Sequence, residues 1–132
     1  MSTASQSAAG GTKILFQSPE ITIDPDSVFS YSSGEFTVNE AGYVDFRVQA
    51  TVYNSVATVW IDVYRRRGGT STVIRTATAY LANSSAYDSI IASAKVQVLS
   101  GDVLYFAISS SGGTPATAVG GNQTNVWLTH QV

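Results

Sequence analysis

The residues that usually carry chemistry are scarce in this chain. It has one histidine, His130, and no cysteine among 132 residues, so neither a Ser-His-Asp relay nor a site built from several histidines or thiolates can be assembled within one copy. No catalytic residue is assigned, and His130, close to the end, reads as an exposed bystander. The carboxylates Asp24, Asp26, Glu35, Glu40 and Asp102 fall in or beside expected turns, where such side chains ordinarily hold backbone amides. They lack the regular ligand spacing of a calcium loop, and neither a metal nor a cofactor is expected. The glycine pairs beginning at 10, 68, 112 and 120 precede no expected helix, which makes them turns and not phosphate cradles. The densest charge is Arg65-Arg66-Arg67, three of the seven basic residues, at the tip of an expected hairpin. Two readings stand: a solvated turn that discourages edge pairing, or a dock for an acidic protein or an acidic glycan gripped by guanidinium forks.

The elements that must position these residues are strands. In residues 42–52, Val44, Phe46, Val48, Ala50 and Val52 alternate with Asp45, Arg47, Gln49 and Thr51, the period-two pattern of a ribbon with one face in the core. Around it lie further strand candidates at 13–17, 20–23, 35–38, 57–63, 72–80, 88–98, 103–109 and 125–130, separated by glycine and polar turns. Phe29 and Phe36 are expected to bracket a loop packed on the core, and residues 82–85 and 110–122 to be loops. The expected fold class is all-β, an antiparallel sandwich of jelly-roll type with eight to ten strands. Residues 1–12 are small and polar and are expected to form a flexible arm, ahead of a single domain over 13–132. Charged residues are only 12% of the chain and the net charge is -2, which excludes the positive field that nucleic acid requires. No apolar run approaches the roughly 20 residues of a membrane span, and no secretory signal opens the sequence. The sequons at Asn83 and Asn122 are therefore read as chance.

Asp24, Phe29, Phe36, Gly42 and Phe46, with four, six, five and three residues between them, resemble the signature of the globular head of complement component 1q. That superfamily shares its jelly roll with tumour necrosis factor. The stretch KVQVLSGDVLYFAI resembles the family's strand that enters a Gly-Asp turn before a buried strand, and NVWLTH resembles its closing strand. Ser18, Val44 and Val48 depart from the pattern, each standing where the family has an aromatic residue. The resemblance implies a homotrimer associated through an aromatic surface. Tyr43, Tyr53, Trp60, Tyr64 and Trp127, all out of phase with the core positions, are the expected interface residues.

A small jelly roll with no collagen stalk and no signal resembles stand-alone relatives in bacteriophage virions. The expectation is a non-enzymatic, trimeric capsid decoration or cement protein, assembled in the host cytoplasm and docked on the major capsid protein or another virion protein. A chain starting at its own methionine, without a fibre shaft, favours that expectation. The competing expectation is a receptor- or glycan-binding head of a fibre or adhesin, with residues 110–122 as its first candidate contact.

Overall fold

The computed structural model describes residues 6–7, 11–16, 21–23, 28–53, 57–81, 88–111, 117–118 and 124–131. They contain strands and no helix: β1 (Gln6–Ser7), β2 (Thr12–Lys13), β3 (Ile21–Ile23), β4 (Phe29–Ser32), β5 (Glu35–Val38), β6 (Gly42–Tyr53), β7 (Ala57–Arg67), β8 (Thr70–Leu81), β9 (Asp88–Val98), β10 (Val103–Ser110), β11 (Thr117–Ala118) and β12 (Asn125–Gln131). Eight of these have four residues or more.

β6 forms because its alternation lets one face leave water while the other stays wet. Val44, Phe46, Val48, Ala50 and Val52 are buried, while Arg47 between them is exposed. Along one side β6 pairs with β9, from Gly42↔Val98 to Val52↔Asp88. On the other side it pairs with β12 over residues 43–49 and then with β11 at Val52 and Tyr53. β3 extends this first sheet by running parallel to β12, and β1 extends it on β11. The second sheet has the order β4-β5-β10-β7-β8, with β2 also on β10.

The inward faces of both sheets interdigitate as one core, held at its centre by Phe106. Its ring lies 6.0 Å from Phe46 of the opposite sheet, 6.1 Å from Phe36 of its own sheet and 6.0 Å from Phe16, which follows β2. Such tilted and edge-on contacts suit ring quadrupoles and add to the burial itself.

Several expectations change in detail. The residues between Phe29 and Phe36 form a hairpin instead of a loop, with Tyr31 paired to Phe36 and Ser32 to Glu35. Its two-residue turn, Ser33-Gly34, has φ of 50° and 84°, the doubly positive geometry that matches strand twist. The expected strand at 13–17 is β2 followed by residues 14–16, which still bond to β10 through Ile14 N donating to Phe106 O at 2.8 Å. Of the expected arm, residues 6–7 and Thr12 lie in ladders. Asp24, Asp26, Ser18, residues 82–85 and most of 110–122 lie outside the described residues. β7 and β8 slip register at one point: Val63 faces Arg75 and Tyr64 faces Val73, leaving Ile74 as an extra residue that packs against the core.

Candidate functional site

β7 runs through all three arginines, so the hairpin tip is Gly68-Gly69 and the charges belong to the strand's end. Two of the three are ion-paired inside the chain. Arg66 grips Glu35 of β5 with both terminal nitrogens, at 2.9 and 2.7 Å, and Lys13 donates to the same carboxylate at 2.6 Å. The Arg66 fork and the Lys13 ammonium hold the Glu35 carboxyl at about 2, against an ordinary 4.5. Arg67 makes a second fork, Nε to Asp102 Oδ1 at 2.9 Å and Nη2 to Oδ2 at 2.7 Å. Asp102 is 2% exposed and also accepts the Leu99 amide at 2.8 Å, so it closes its own turn while anchoring β7. Arg67 beside it, with help from that amide, holds its carboxyl below the usual carboxylate range. Arg65 Nη1 reaches across to Gln97 O of the other sheet at 3.3 Å, and its buried Nε has no hydrogen-bond partner among the described residues. An acidic partner at Arg65, Arg66 and Arg67 would therefore compete with Glu35 and Asp102.

His130 serves a local purpose. Its Nε2 donates to Glu40 O at 2.9 Å and its ring meets Phe29 edge-on at 6.3 Å, which fastens the end of β12 over the start of β6. Gly42 sits beneath it, where an added Cβ would lie 2.2 Å from Gln131 O. Gly42 is thus required by close approach of β12 as well as by the turn before β6. Among the described residues no group of three or more His, Asp or Glu side chains is placed to hold a metal.

The expected interface aromatics divide between two opposite surfaces. Tyr43 and Trp127 lie on the outward face of the β9-β6-β12 sheet; Trp60 and Tyr64 lie on the outward face of the other sheet; of Tyr53 only the backbone is described. On the first face Tyr43 is 45% and Ile91 47% exposed. Arg47, paired with Trp127 across the ladder, has its guanidinium carbon 5.0 Å from the indole ring, and Lys95 Nζ lies 5.7 Å from the Tyr43 ring while donating to Gln131 Oε1 at 2.8 Å. The cations hold the rings in place and leave a surface of aromatic, aliphatic and long polar side chains. On the second face Tyr64 and Tyr105 stack in parallel at 4.8 Å, Lys13 Nζ caps the Tyr105 ring at 4.9 Å, and the Tyr105 hydroxyl donates to Ser71 Oγ at 2.9 Å. Tyr80, 63% exposed, and Val73, 46% exposed, continue this surface along β8. Sequence reasoning missed Tyr105, Tyr80, Ile91 and Lys13. The alternation marks Tyr105, Tyr80 and Ile91 as outward; only the pairing of distant strands brings Lys13 and Glu35 to Arg66.

No protein-family model matches the chain, nor does any curated protein sequence. Solved structures do match in shape. The Eiger tumour necrosis factor from S. frugiperda superposes with a TM-score of 0.64 at 15% identity, covering 79% of this chain and 69% of that one. The chain has a jelly-roll fold similar to that of the tumour-necrosis-factor structures. Murine APRIL at pH 5.0 gives a TM-score of 0.55 at 14% identity, covering 68% of this chain and 74% of its own, and at pH 8.0 the figures are 0.52, 16%, 68% and 71%. At such identities the likeness is one of fold, and the chemistry of the jelly roll has to be read from its own two faces.

Proposed function

We propose that this jelly roll is a non-enzymatic structural head that works as a homotrimer and docks on a larger protein assembly, specifically as a capsid decoration or cement protein on a virion. The observation that carries the reading is the outward face of β9-β6-β12, along which Tyr43, Trp127 and Ile91 are spread, with Arg47 and Lys95 set against the two rings. Exposed aromatic and aliphatic groups of this kind gain most by being covered, and the strongest charge pairs elsewhere are already satisfied within the chain. The trimer is further supported by the resemblance to the complement and tumour-necrosis-factor heads; placement on a virion rests on the expectation drawn from the sequence. Sedimentation of the purified chain, followed by its titration onto undecorated capsids and a heat challenge of those capsids, tests it. A trimer that binds in fixed stoichiometry and raises the temperature of capsid disruption is expected; a monomer that neither binds nor protects ends the reading.

A second reading, a glycan- or receptor-binding head, is favoured by the other face. There Trp60 and the Tyr64-Tyr105 stack flank Asp62, whose Oδ1 accepts Thr76 Oγ1 at 2.6 Å, an alternation of ring and hydroxyl that sugars can use. A glycan array probed with the native chain and with Trp60→Ala separates the two: binding lost in the variant supports recognition.

A further inference from the structure

Residues 11–16 are held in the sandwich as a bound peptide is held in an acceptor groove. β10 is longer than its neighbour: β5 covers only Val103, Leu104 and Tyr105, and β2 occupies the edge beyond through Ala107↔Lys13 and Ile108↔Thr12. In strand addition the main-chain bonds give affinity and alternate side chains give specificity. Both are present. Ile14 N donates to Phe106 O at 2.8 Å, Ile14 is fully buried, and Phe16, 5% exposed, enters the cluster of Phe36 and Phe106. The Tyr31 hydroxyl clamps the main chain at Phe16, accepting from its N at 2.7 Å and donating to its O at 3.0 Å. Lys13 adds the 2.6 Å ion pair to Glu35. Gly34 clears the way, since a Cβ there would lie 2.8 Å from Ile14 O. The slot thus reads a lysine, an isoleucine and, two positions on, a phenylalanine.

None of these interactions depends on the segment belonging to the same chain. On its C-terminal side only residues 17–20, which include Pro19, connect it to β3 in the opposite sheet, and on its N-terminal side β1, which pairs with β11 of that sheet, would travel with it. A short, proline-bearing connection between an edge strand and the rest of a domain is where identical elements exchange at low cost, because the bonds and packing given up within one chain are remade with its neighbour. The geometry points to this slot as an acceptor for residues 11–16 of a second copy, so that assembled protomers are tied together by exchanged strands. The inference rests on the multi-copy reading above. In dilute chain the tether favours each chain's own slot; in an assembly the neighbour's segment reaches a comparable effective concentration.

The 2.6 Å Lys13–Glu35 pair allows a test on the unaltered chain. Light and isotopically heavy copies are unfolded together, refolded, allowed to assemble, treated with a zero-length carbodiimide cross-linker and digested for mass spectrometry. The expected result is a set of Lys13–Glu35 cross-links in which the mixed light-heavy species approaches half of the total. Sedimentation of the same sample separates the possible failures. An oligomer whose cross-links are all of one label overturns strand exchange alone, whereas a monomer with single-label cross-links overturns the assembly and the exchange together.

Discussion

At Glu35 two cations converge on one carboxylate, and the consequence is a stability that depends on acid. Its folded-state value of about 2 lies below the ordinary 4.5. The unfolded chain therefore binds the proton first, and the pair's contribution is present in full above pH 4.5 and lost as pH falls toward 2. With partners one-third exposed, screening limits that contribution to about 1–2 kcal/mol. Asp102, depressed by Arg67, loses its contribution in the same direction. Urea unfolding at neutral pH and in acid should show the native chain losing stability more steeply than Glu35→Gln; parallel curves would mean the pair contributes nothing. Gly42 gives a second expectation at this scale. A Cβ 2.2 Å from Gln131 O cannot be accommodated unless β12 or β6 shifts, so Gly42→Ala should cost on the order of 2–4 kcal/mol in thermal or chemical unfolding.

At the scale of elements, the stretch of residues 11–16 is an edge attachment, and Tyr31 is its fastening. Tyr31→Phe keeps the ring beside Phe36 but removes the hydroxyl that bonds Phe16 N and O. The expected cost is about 1–2 kcal/mol, with amide exchange accelerating at Ile14 and Phe16 well before β6. Uniform acceleration through the sandwich would mean the segment does not open separately. The same elements show what a sequence can convey. β6 and β9 are legible because a long alternation has only one physical solution, a ribbon with one buried face. β4 is not, since four residues holding two serines offer too short a pattern, although Phe29 and Tyr31 ahead of Ser33-Gly34 carry what signal there is. The placement of Arg65, Arg66 and Arg67 inside β7 also escapes a local reading. Arginine is costly in a strand only until a carboxylate answers it, and Glu35 and Asp102 stand 31 and 35 residues away in sequence. Parallel pairing of β3 with β12 and the extra residue Ile74 are likewise properties of packing between distant segments.

For the whole molecule the proposed assembly turns on which face of the sandwich it would cover. Five aromatics selected by phase alone suggest one surface, but phase says only that a side chain leaves the core, not which of two sheets it leaves. The ladders place Tyr43 and Trp127 on one side and Trp60 and Tyr64 on the other, so an interface that uses either pair need not use the second. If the β9-β6-β12 face carries association, Tyr43→Ser, at a position already 45% exposed, should leave thermal unfolding of the protomer nearly unchanged. Trp127→Ser removes the ring under Arg47 and with it the centre of the surface. Anchors of this type cost about 2 kcal/mol or more at an interface, and each 1.4 kcal/mol is about tenfold in affinity. Together the two changes should raise the concentration at which oligomers dissociate by more than about tenfold in equilibrium sedimentation. Tyr80→Ser, on the opposite face and 63% exposed, serves as the contrast and should leave the dissociation concentration where it was. The reverse pattern, dissociation by Tyr80→Ser with the double variant intact, would move the interface to the β7-β8 side and free the Tyr43 face for the larger assembly.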